Sequence, residues 1–386
     1  MTLTILIAPS GFKESLSVTD VTGAIAEGVR RAMPDARILS APMVDGGEGT
    51  TEALVQASGG RLHRAIVTGP VGDPVPSFWG ELGGDGPRTA VIEMAAAAGL
   101  SLVPRDRRDP TLTTSRGVGE LIVRAIDDGA QRILIGCGDS GINDGGAGMA
   151  RALGARLLDK HGNPLPEGGG ALARLARIDL SGLDPRLDRV RIDAAVNWHN
   201  MLLGPKGVAR VFGPQKGATP DQVRLLDRAM ETWAEQIWIA TGRDVGAAPG
   251  AGASGGLGAG LIAFAGARLH PRFDIMREYL DFERLLDSAD LVITAEGSLD
   301  GQSPYGKVPC EVARHAAAKG IPTIALAGTI GKGASETFQH GIAAFASIVK
   351  RPCTLEEAIQ KGEKLLRRAA EDAMRMLQVG QRLALR

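Results

Sequence analysis

Aromatic residues are scarce and neither sign of charge is in surplus. Four tryptophans, two tyrosines and eight phenylalanines leave few stacking platforms for single-stranded nucleic acid. Forty-four basic side chains balance 44 acidic ones, so the Lys and Arg excess of a nucleic-acid-binding or polybasic membrane protein is missing. The three cysteines, Cys137, Cys310 and Cys353, are odd in number and widely spaced, which gives no disulfide framework and no metal-ligand spacing. They point to the cytoplasm. Long apolar runs are lacking too: Met1 to Ile7 has no basic n-region and Pro9 ends it, and the weakly polar Gly255 to Ala267 is too short to span a bilayer. The expectation is a cytoplasmic protein that meets neither a membrane nor nucleic acid.

What the chain has in excess is glycine, 53 of 386 residues, roughly twice the usual share and without a Gly-X-Y period. Hydrophobic residues at 44% and charged ones at 23% are those of a chain with a packed core. The length suggests two domains.

The first fifty residues read as strand, helix, strand. Leu3 to Ala8 is a buried-strand run, Ser17 with Asp20 is an N-cap signature, and Val18, Val21, Ile25, Val29 and Met33 recur at helical spacing before a second run, Arg37 to Val44. The far end repeats this texture, with strands at 291–294, 323–327 and 343–349, helical stretches at 308–319 and 335–340, and a final amphipathic helix over 355–378. Between them, 65–81 reads as hairpins, and α/β alternation resumes with strands at 90–93 and 132–137. The fold class expected is α/β, with a Rossmann-like or flavodoxin-like parallel-sheet domain (1–69 plus 286–386) interrupted by an inserted second α/β domain (70–285) and an active site in the cleft between them.

Five glycine-bearing loops stand where a parallel sheet binds ligands: Ser10 to Lys13, Asp45 to Thr50, Gly136 to Met149, Gly250 to Gly260 and Glu296 to Lys307. Asp45 to Gly49 and Asp144 to Gly148 share the pattern D-G-G-x-G, which reads equally as two matching loops or as coincidence. Two nominal dinucleotide fingerprints occur, at Gly136, Gly138 and Gly141 and at Gly250, Gly252 and Gly255. The second lacks a preceding strand. In the first, Asp139, Asn143 and Asp144 suit a pyrophosphate carried with Mg²⁺ better than a naked one, so an NAD-dependent dehydrogenase is the minor alternative. Gly301 to Lys307 is a near miss to a phosphate-binding loop, with Val308 in place of the hydroxyl. Ser115-Arg116 at a helix start suits a carboxylate or phosphate, against the plainer reading of an N-cap with a solvated arginine. In 212–222, Thr219, Pro220 and Gln222 make a capping box, which leaves Phe212 to Ala218 unexplained. Together these features predict an enzyme acting on a phosphorylated, Mg²⁺-bound ligand and a small anionic substrate.

In order along the chain, the motifs resemble the bacterial glycerate kinase family over nearly the whole length. They are Ala8-Pro9 with Phe12-Lys13, Asp45 to Thr50, Val91-Ile92-Glu93-Met94-Ala95, Ser115-Arg116-Gly117 with Gly119 to Ile122, and Asn143 to Met149. Val211 to Ala218, Pro249 to Ala253, and Glu296-Gly297 with Asp300, Gln302, Gly306 and Lys307 complete the set. The resemblance implies a kinase that uses ATP and Mg²⁺ to phosphorylate a small hydroxy acid, D-glycerate giving 2-phosphoglycerate. It implies Lys13, Lys216 and Lys307 on phosphate charge, and Asp45, Glu48 and Asp144 for metal binding, with Asp45 and Asp144 also for deprotonation; Asp139, which departs from the family pattern, is the further metal ligand expected, taking over from a lost carboxylate. Ser115, Arg116, Asn143 and Asn200 fall to the substrate, and Gly250, Gly252, Gly255, Glu296 and Asp300 with Lys307 to the nucleotide. It leaves a homodimer open. The chain departs from the family pattern at Ser10-Gly11 (Asp-Ser in the family), at Gly138 to Asn143 (Gly-Gly-Ser-Ala-Thr-Asn) and at Asn197 to Leu202 (Asp-Val-x-Asn-Pro-Leu). Two carboxylates are lost and one gained, so a kinase for another small sugar acid, or an inactive nucleotide-binding homologue, are the further alternatives.

Overall fold

A strand such as Thr4–Ile7, in which Ile5, Leu6 and Ile7 are all fully buried, needs cover on both faces, and a parallel sheet between helices supplies it. The computed structural model describes residues 2–12 and 15–384. Its thirteen strands among those residues are β1 (Thr4–Ile7), β2 (Arg37–Ser40), β3 (Arg61–Thr68), β4 (Pro74–Glu81), β5 (Thr89–Glu93), β6 (Arg132–Gly136) and β7 (Arg156–Leu158), then β8 (Arg177–Asp179), β9 (Arg191–Val196), β10 (Arg268–Pro271), β11 (Leu291–Leu299), β12 (Thr323–Ile330) and β13 (Ile342–Ser347). The chain divides into two compact units, Met1–Val44 with Met276–Arg386, and Asp45–Ile275.

The discontinuous unit is a five-stranded sheet in the order β13-β12-β11-β1-β2, every pair parallel. Numbered within this unit alone, the order is 2-1-3-4-5, the flavodoxin-like arrangement, whose switch point lies between β1 and β11. One face is covered by the helices Val18–Ala32 and Gly362–Ala384, which close a core of Ile5, Ile7, Val21, Ile25, Leu366, Ala370 and Met374. The two helices meet at Gly28, where a Cβ would stand 2.3 Å from the Arg367 carbonyl oxygen. The Ser17–Asp20 capping box forms as expected. The expected final helix is two helices, Leu355–Gln360 and Gly362–Ala384, and 335–340 is a 3₁₀ turn.

The inserted unit carries a six-stranded sheet in the order β10-β9-β6-β5-β4-β3, parallel from β10 to β5 and antiparallel at β4 and β3. A two-stranded ribbon, β7 with β8, is appended. The hairpin expected within 65–81 is the β3–β4 pair. The edge strand β3 does not offer an open row of backbone groups: Glu120 accepts from the Thr68 N–H (2.8 Å) and Arg124 donates to the Ile66 carbonyl (3.0 Å).

The unit junctions fall at 44/45 and 275/276, where the sequence pattern suggests 69/70 and 285/286. Residues 45–69 belong to the inserted unit because β3 pairs with β4, and the 45–49 loop lies on the end of β6. Residues 276–285 belong to the other unit, where Arg277 pairs with Glu283 (2.6 Å) and Phe282 meets His315 edge to face.

Candidate active site

In the inserted unit, the carboxyl ends of β5, β6 and β9 present three loops. The loop after β6 turns back through Gly145 and Gly146, both at positive φ, so that backbone N–H groups face the carboxylate of Asp144. Asp144 is fully buried. Its Oδ2 accepts from the Ser115 N–H (2.8 Å), the Ser115 hydroxyl (2.8 Å) and the Gly148 N–H (3.0 Å), and its Oδ1 accepts from the Gly146 N–H (3.1 Å). Burial raises this carboxyl above the usual range, and the four donors offset only part of the rise.

Lys216 closes the turn Pro214–Lys216, and its Nζ donates to the Ser140 hydroxyl (2.9 Å) and the Ile142 carbonyl (2.6 Å). With 2% of its surface exposed, its ammonium is pushed down by burial to about 7, against the pull of Asp144. This placement accounts for the lysine within Phe212 to Ala218, the half of that motif that helix capping leaves unexplained. Between Ile142 and Asp144, the side chain of Asn143 is fully buried with neither amide atom hydrogen-bonded. The Thr113 hydroxyl is likewise buried and unpartnered. Buried polar groups in this state mark a place for a ligand or an ordered water.

The four expected metal ligands separate. Asp144 is enclosed by the four donors described, while Asp139, five residues earlier on the same loop, turns to Asp45 and Glu48 of the 45–49 loop. Asp45 Oδ1 and Asp139 Oδ2 both lie within 3.2 Å of the point a Cβ on Gly47 would occupy, so the two carboxylates face each other across that glycine. Asp139 also accepts from the Glu48 N–H (2.9 Å), Glu48 accepts from the Ser101 hydroxyl (2.6 Å), and Arg272 approaches Asp45 (3.6 Å). Asp139 has φ of +50°, a left-handed geometry that suits the glycine of the family pattern and that aspartate tolerates. Among the described residues no group of three or more His, Cys, Asp or Glu side chains forms a cage for a metal.

The two D-G-G-x-G loops are not structural equivalents. Asp45 is half exposed and Asp144 wholly buried. The left-handed glycines are the second and fifth residues of the first pattern, Gly46 and Gly49, but the second and third of the other, Gly145 and Gly146.

Packing also explains both nominal dinucleotide fingerprints. Cβ atoms on Gly136 and Gly138 would lie 2.6 Å from the Gly46 carbonyl oxygen and the Gly47 Cα, and one on Gly141 would lie 2.8 Å from the Gly99 carbonyl oxygen. On Gly252 and Gly255 they would come within 2.0 Å of the Met201 and Ile142 carbonyl oxygens, and on Gly250 within 2.6 Å of Val196. These glycines let protein backbone meet protein backbone or, at Gly250, the Val196 side chain, which removes the reason to read either run as a cradle for NAD. The last run also contains consecutive left-handed residues, Ser254, Gly255 and Gly256.

Arg116 opens the helix Arg116–Asp127 but is already paired, with Glu120 (3.3 Å) and Glu167 (3.2 Å). Asn200 is half-buried, and its carbonyl accepts from the Gly252 N–H (3.0 Å).

In the discontinuous unit, Lys13 lies outside the described residues. At the switch point the Ser10 N–H and hydroxyl both donate to the Ala295 carbonyl (2.9 and 3.1 Å). Glu296 sits on β11 beyond that contact. Lys307 reaches both Asp300 oxygens (3.2 Å each) and the Ser298 carbonyl (3.4 Å), and it stands as N-cap of the helix Val308–Ala318. Burial would raise the Asp300 carboxyl, but the Gln302 N–H and Lys307 outweigh it and hold the carboxyl below its usual range.

In the sequence Glu93 stands only within a motif, with no role of its own. It ends β5, is 3% exposed, and accepts from the Thr51 N–H (3.0 Å). Burial pushes its carboxyl up to about 7 although the Thr51 and Gly49 N–H groups favour its ionised form. A carboxylate inside an apolar strand is the signal that marks it.

No helix among the described residues is long and apolar enough to cross a membrane. The model of the glycerate kinase family matches residues 5–378. The chain is 49% identical over 368 residues to the glycerate kinase of Bacillus subtilis (strain 168), covering 95% of this chain and 96% of that protein. It is 47% identical over 380 residues to the glycerate 2-kinase of Escherichia coli (strain K12), covering 98% and 99%. The crystal structure of a Salmonella typhimurium LT2 protein assigned as glycerate kinase 2 superposes with a TM-score of 0.88 at 46% identity, covering 99% of this chain and all of that one. A family match over nearly the whole length, joined to relatives of this identity and coverage, places the chain in the glycerate kinase family.

Proposed function

We propose that the protein transfers the γ-phosphoryl group of ATP to a hydroxyl of glycerate, forming 2-phosphoglycerate and ADP. The observation that carries this reading, beside the family, is the buried set of Asp144, Lys216 and Asn143: a base, a cation and an idle amide held in one loop cluster by short hydrogen bonds. Phosphoryl transfer asks for positioning and charge neutralisation more than for covalent chemistry.

In the proposed step the substrate hydroxyl oxygen bonds to the γ-phosphorus, the bond to the β–γ bridging oxygen breaks with its electron pair, and ADP leaves. The hydroxyl proton passes to Asp144, whose Oδ1 holds a single donor and whose raised pKa makes it a better acceptor than a surface carboxylate. Lys216 faces the developing phosphate charge, and an incoming anion favours its protonated form. Asn143 and Asn200 take oxygens of the acid, and Arg116 takes its carboxylate by exchange with Glu167. Lys307, Asp300 and Glu296, at the switch point of the flavodoxin-like sheet, are the proposed nucleotide contacts of that unit.

Mg²⁺ that arrives with a nucleotide keeps several waters and needs one or two carboxylates besides the phosphates. Asp45 and Asp139, facing each other across Gly47, fit that demand. The ion would supply neutralisation of phosphate charge.

The test is ADP release from Mg-ATP against a panel of small hydroxy and sugar acids, with the product assayed by enolase, which consumes 2-phosphoglycerate. D-Glycerate is expected to be the preferred acceptor. A higher kcat/KM for another acid, or nucleotide binding without turnover of any acid on the panel, would overturn the reading.

A further inference from the structure

The helix Thr50–Ser58 begins without a cap of its own. Its N-cap residue is Gly49 at φ of +86°, so no side chain there can accept from the first turn. The glycine is demanded by the Asp45–Gly49 loop, whose path uses left-handed residues at both Gly46 and Gly49. The missing acceptor comes from elsewhere: Glu93, 42 residues on and at the carboxyl end of β5, accepts from the Thr51 N–H at 3.0 Å while 3% exposed. The loop is tied further by the Asp139 carboxylate on the Glu48 N–H, by the Ser101 hydroxyl on the Glu48 carboxylate and by Arg272 beside Asp45, none of which reaches the helix's first turn.

We infer that Glu93 is a positioning residue, whose carboxylate pins the first turn of the Thr50–Ser58 helix to the sheet and thereby fixes the loop that presents Asp45 and Glu48. A plain structural cap needs no buried carboxylate, since a serine or asparagine at the N-cap does the same work. The external carboxylate is needed because the N-cap position is reserved for glycine. The inference rests on the proposed role of the Asp45–Gly49 loop in phosphoryl transfer.

The experiment compares Glu93→Gln, Glu93→Asp and Glu93→Ala in the full chain. Glutamine keeps an acceptor oxygen at the same reach, so kcat is expected within about threefold of the parent. Aspartate and alanine leave the Thr51 N–H unmet, and kcat is expected to fall at least about tenfold, with the KM values changing less than kcat, in protein that circular dichroism shows to be folded. In an Asp45→Asn background, Glu93→Asp should add little further loss, since the loop's contribution has already been removed. Independent of activity, amide exchange at Thr51 should accelerate in Glu93→Asp and not in Glu93→Gln. Additive losses with Asp45→Asn, or equal kcat in all three variants, would overturn the inference. Accelerated Thr51 exchange in Glu93→Asp, together with a parent protein that phosphorylates no acid, would instead sink the functional reading and leave the pin in place.

Discussion

Replacing Lys216 by methionine removes the only charge on a side chain that is 2% exposed. Burial lowers the ammonium from 10.5 to about 7, a shift worth about 5 kcal/mol as an order of magnitude. Its sign fixes the pH window. Below about pH 7 both folded and unfolded chains hold the proton, so the burial penalty is complete. Between about 7 and 10.5 the folded chain has released the proton that the unfolded chain keeps, and stability rises with pH. From about pH 7 to pH 9 the gain is about 2 kcal/mol, approaching 1.4 kcal/mol per pH unit. Methionine has no such term, but it leaves the Ile142 carbonyl without its donor, a constant loss of about 1–3 kcal/mol. Glu93 titrates near 7 as well, but it is present in both proteins and cancels in their difference. Urea unfolding of parent and variant at several pH values is the assay. The parent should gain on Lys216→Met by about 2 kcal/mol between pH 7 and pH 9, with little change from pH 5 to pH 6. A difference that stays flat over the whole range would mean that Lys216 keeps its proton on folding and that its burial exerts no such effect. Turnover should fall about a hundredfold, the scale for removing a group that neutralises transition-state charge.

Three further perturbations test other parts of the reading. Asp144→Asn should lower turnover in the ADP-release assay by more than tenfold, about 1.4 kcal/mol, and a smaller loss would remove Asp144 from the centre of the chemistry. Lys307→Met should raise the KM for ATP while changing urea stability by less than about 1 kcal/mol, because its pair with Asp300 is partly exposed; an unchanged KM would cancel its nucleotide role. Gly28→Ala forces a Cβ to within 2.3 Å of the Arg367 carbonyl and 2.8 Å of the Ala370 Cβ, so it should destabilise by about 1–3 kcal/mol in urea unfolding without altering KM.

Features governed by contacts within a turn or two are legible in the sequence. The capping boxes at Ser17–Asp20 and Thr219–Gln222 form as the residues indicate, because donor and acceptor are three positions apart. The apolar runs are strands of a parallel sheet, though β11 extends to Leu299 because β12 continues beside it to Ile330. The final helix breaks at Lys361, a boundary its amphipathic pattern does not reveal. At the site, the acidic glycine loop points to Asp144 and the resemblance to Lys216, and no local pattern shows that they are buried. Arg116 reads in the sequence as either an anion contact or a solvated cation, and in the fold Glu167, 51 residues away, meets it.

By itself the sequence determined the fold class, the family and the loops that can approach an anion, because strand hydrophobicity, helix capping and glycine-bearing turns are written in consecutive residues. The tertiary structure alone decided how the glycines are used. Many of those expected to cradle phosphate instead let the backbones at Gly46–Gly47, Gly136–Gly138, Ile142–Gly146 and Gly252–Gly256 approach within van der Waals distance, which no local pattern distinguishes from an anion site. It also decided which charges are free and which are neutralised. Burial and partners from distant segments set the state of Asp144, Lys216, Glu93 and Arg116, and those are sums over neighbours that only the folded chain assembles.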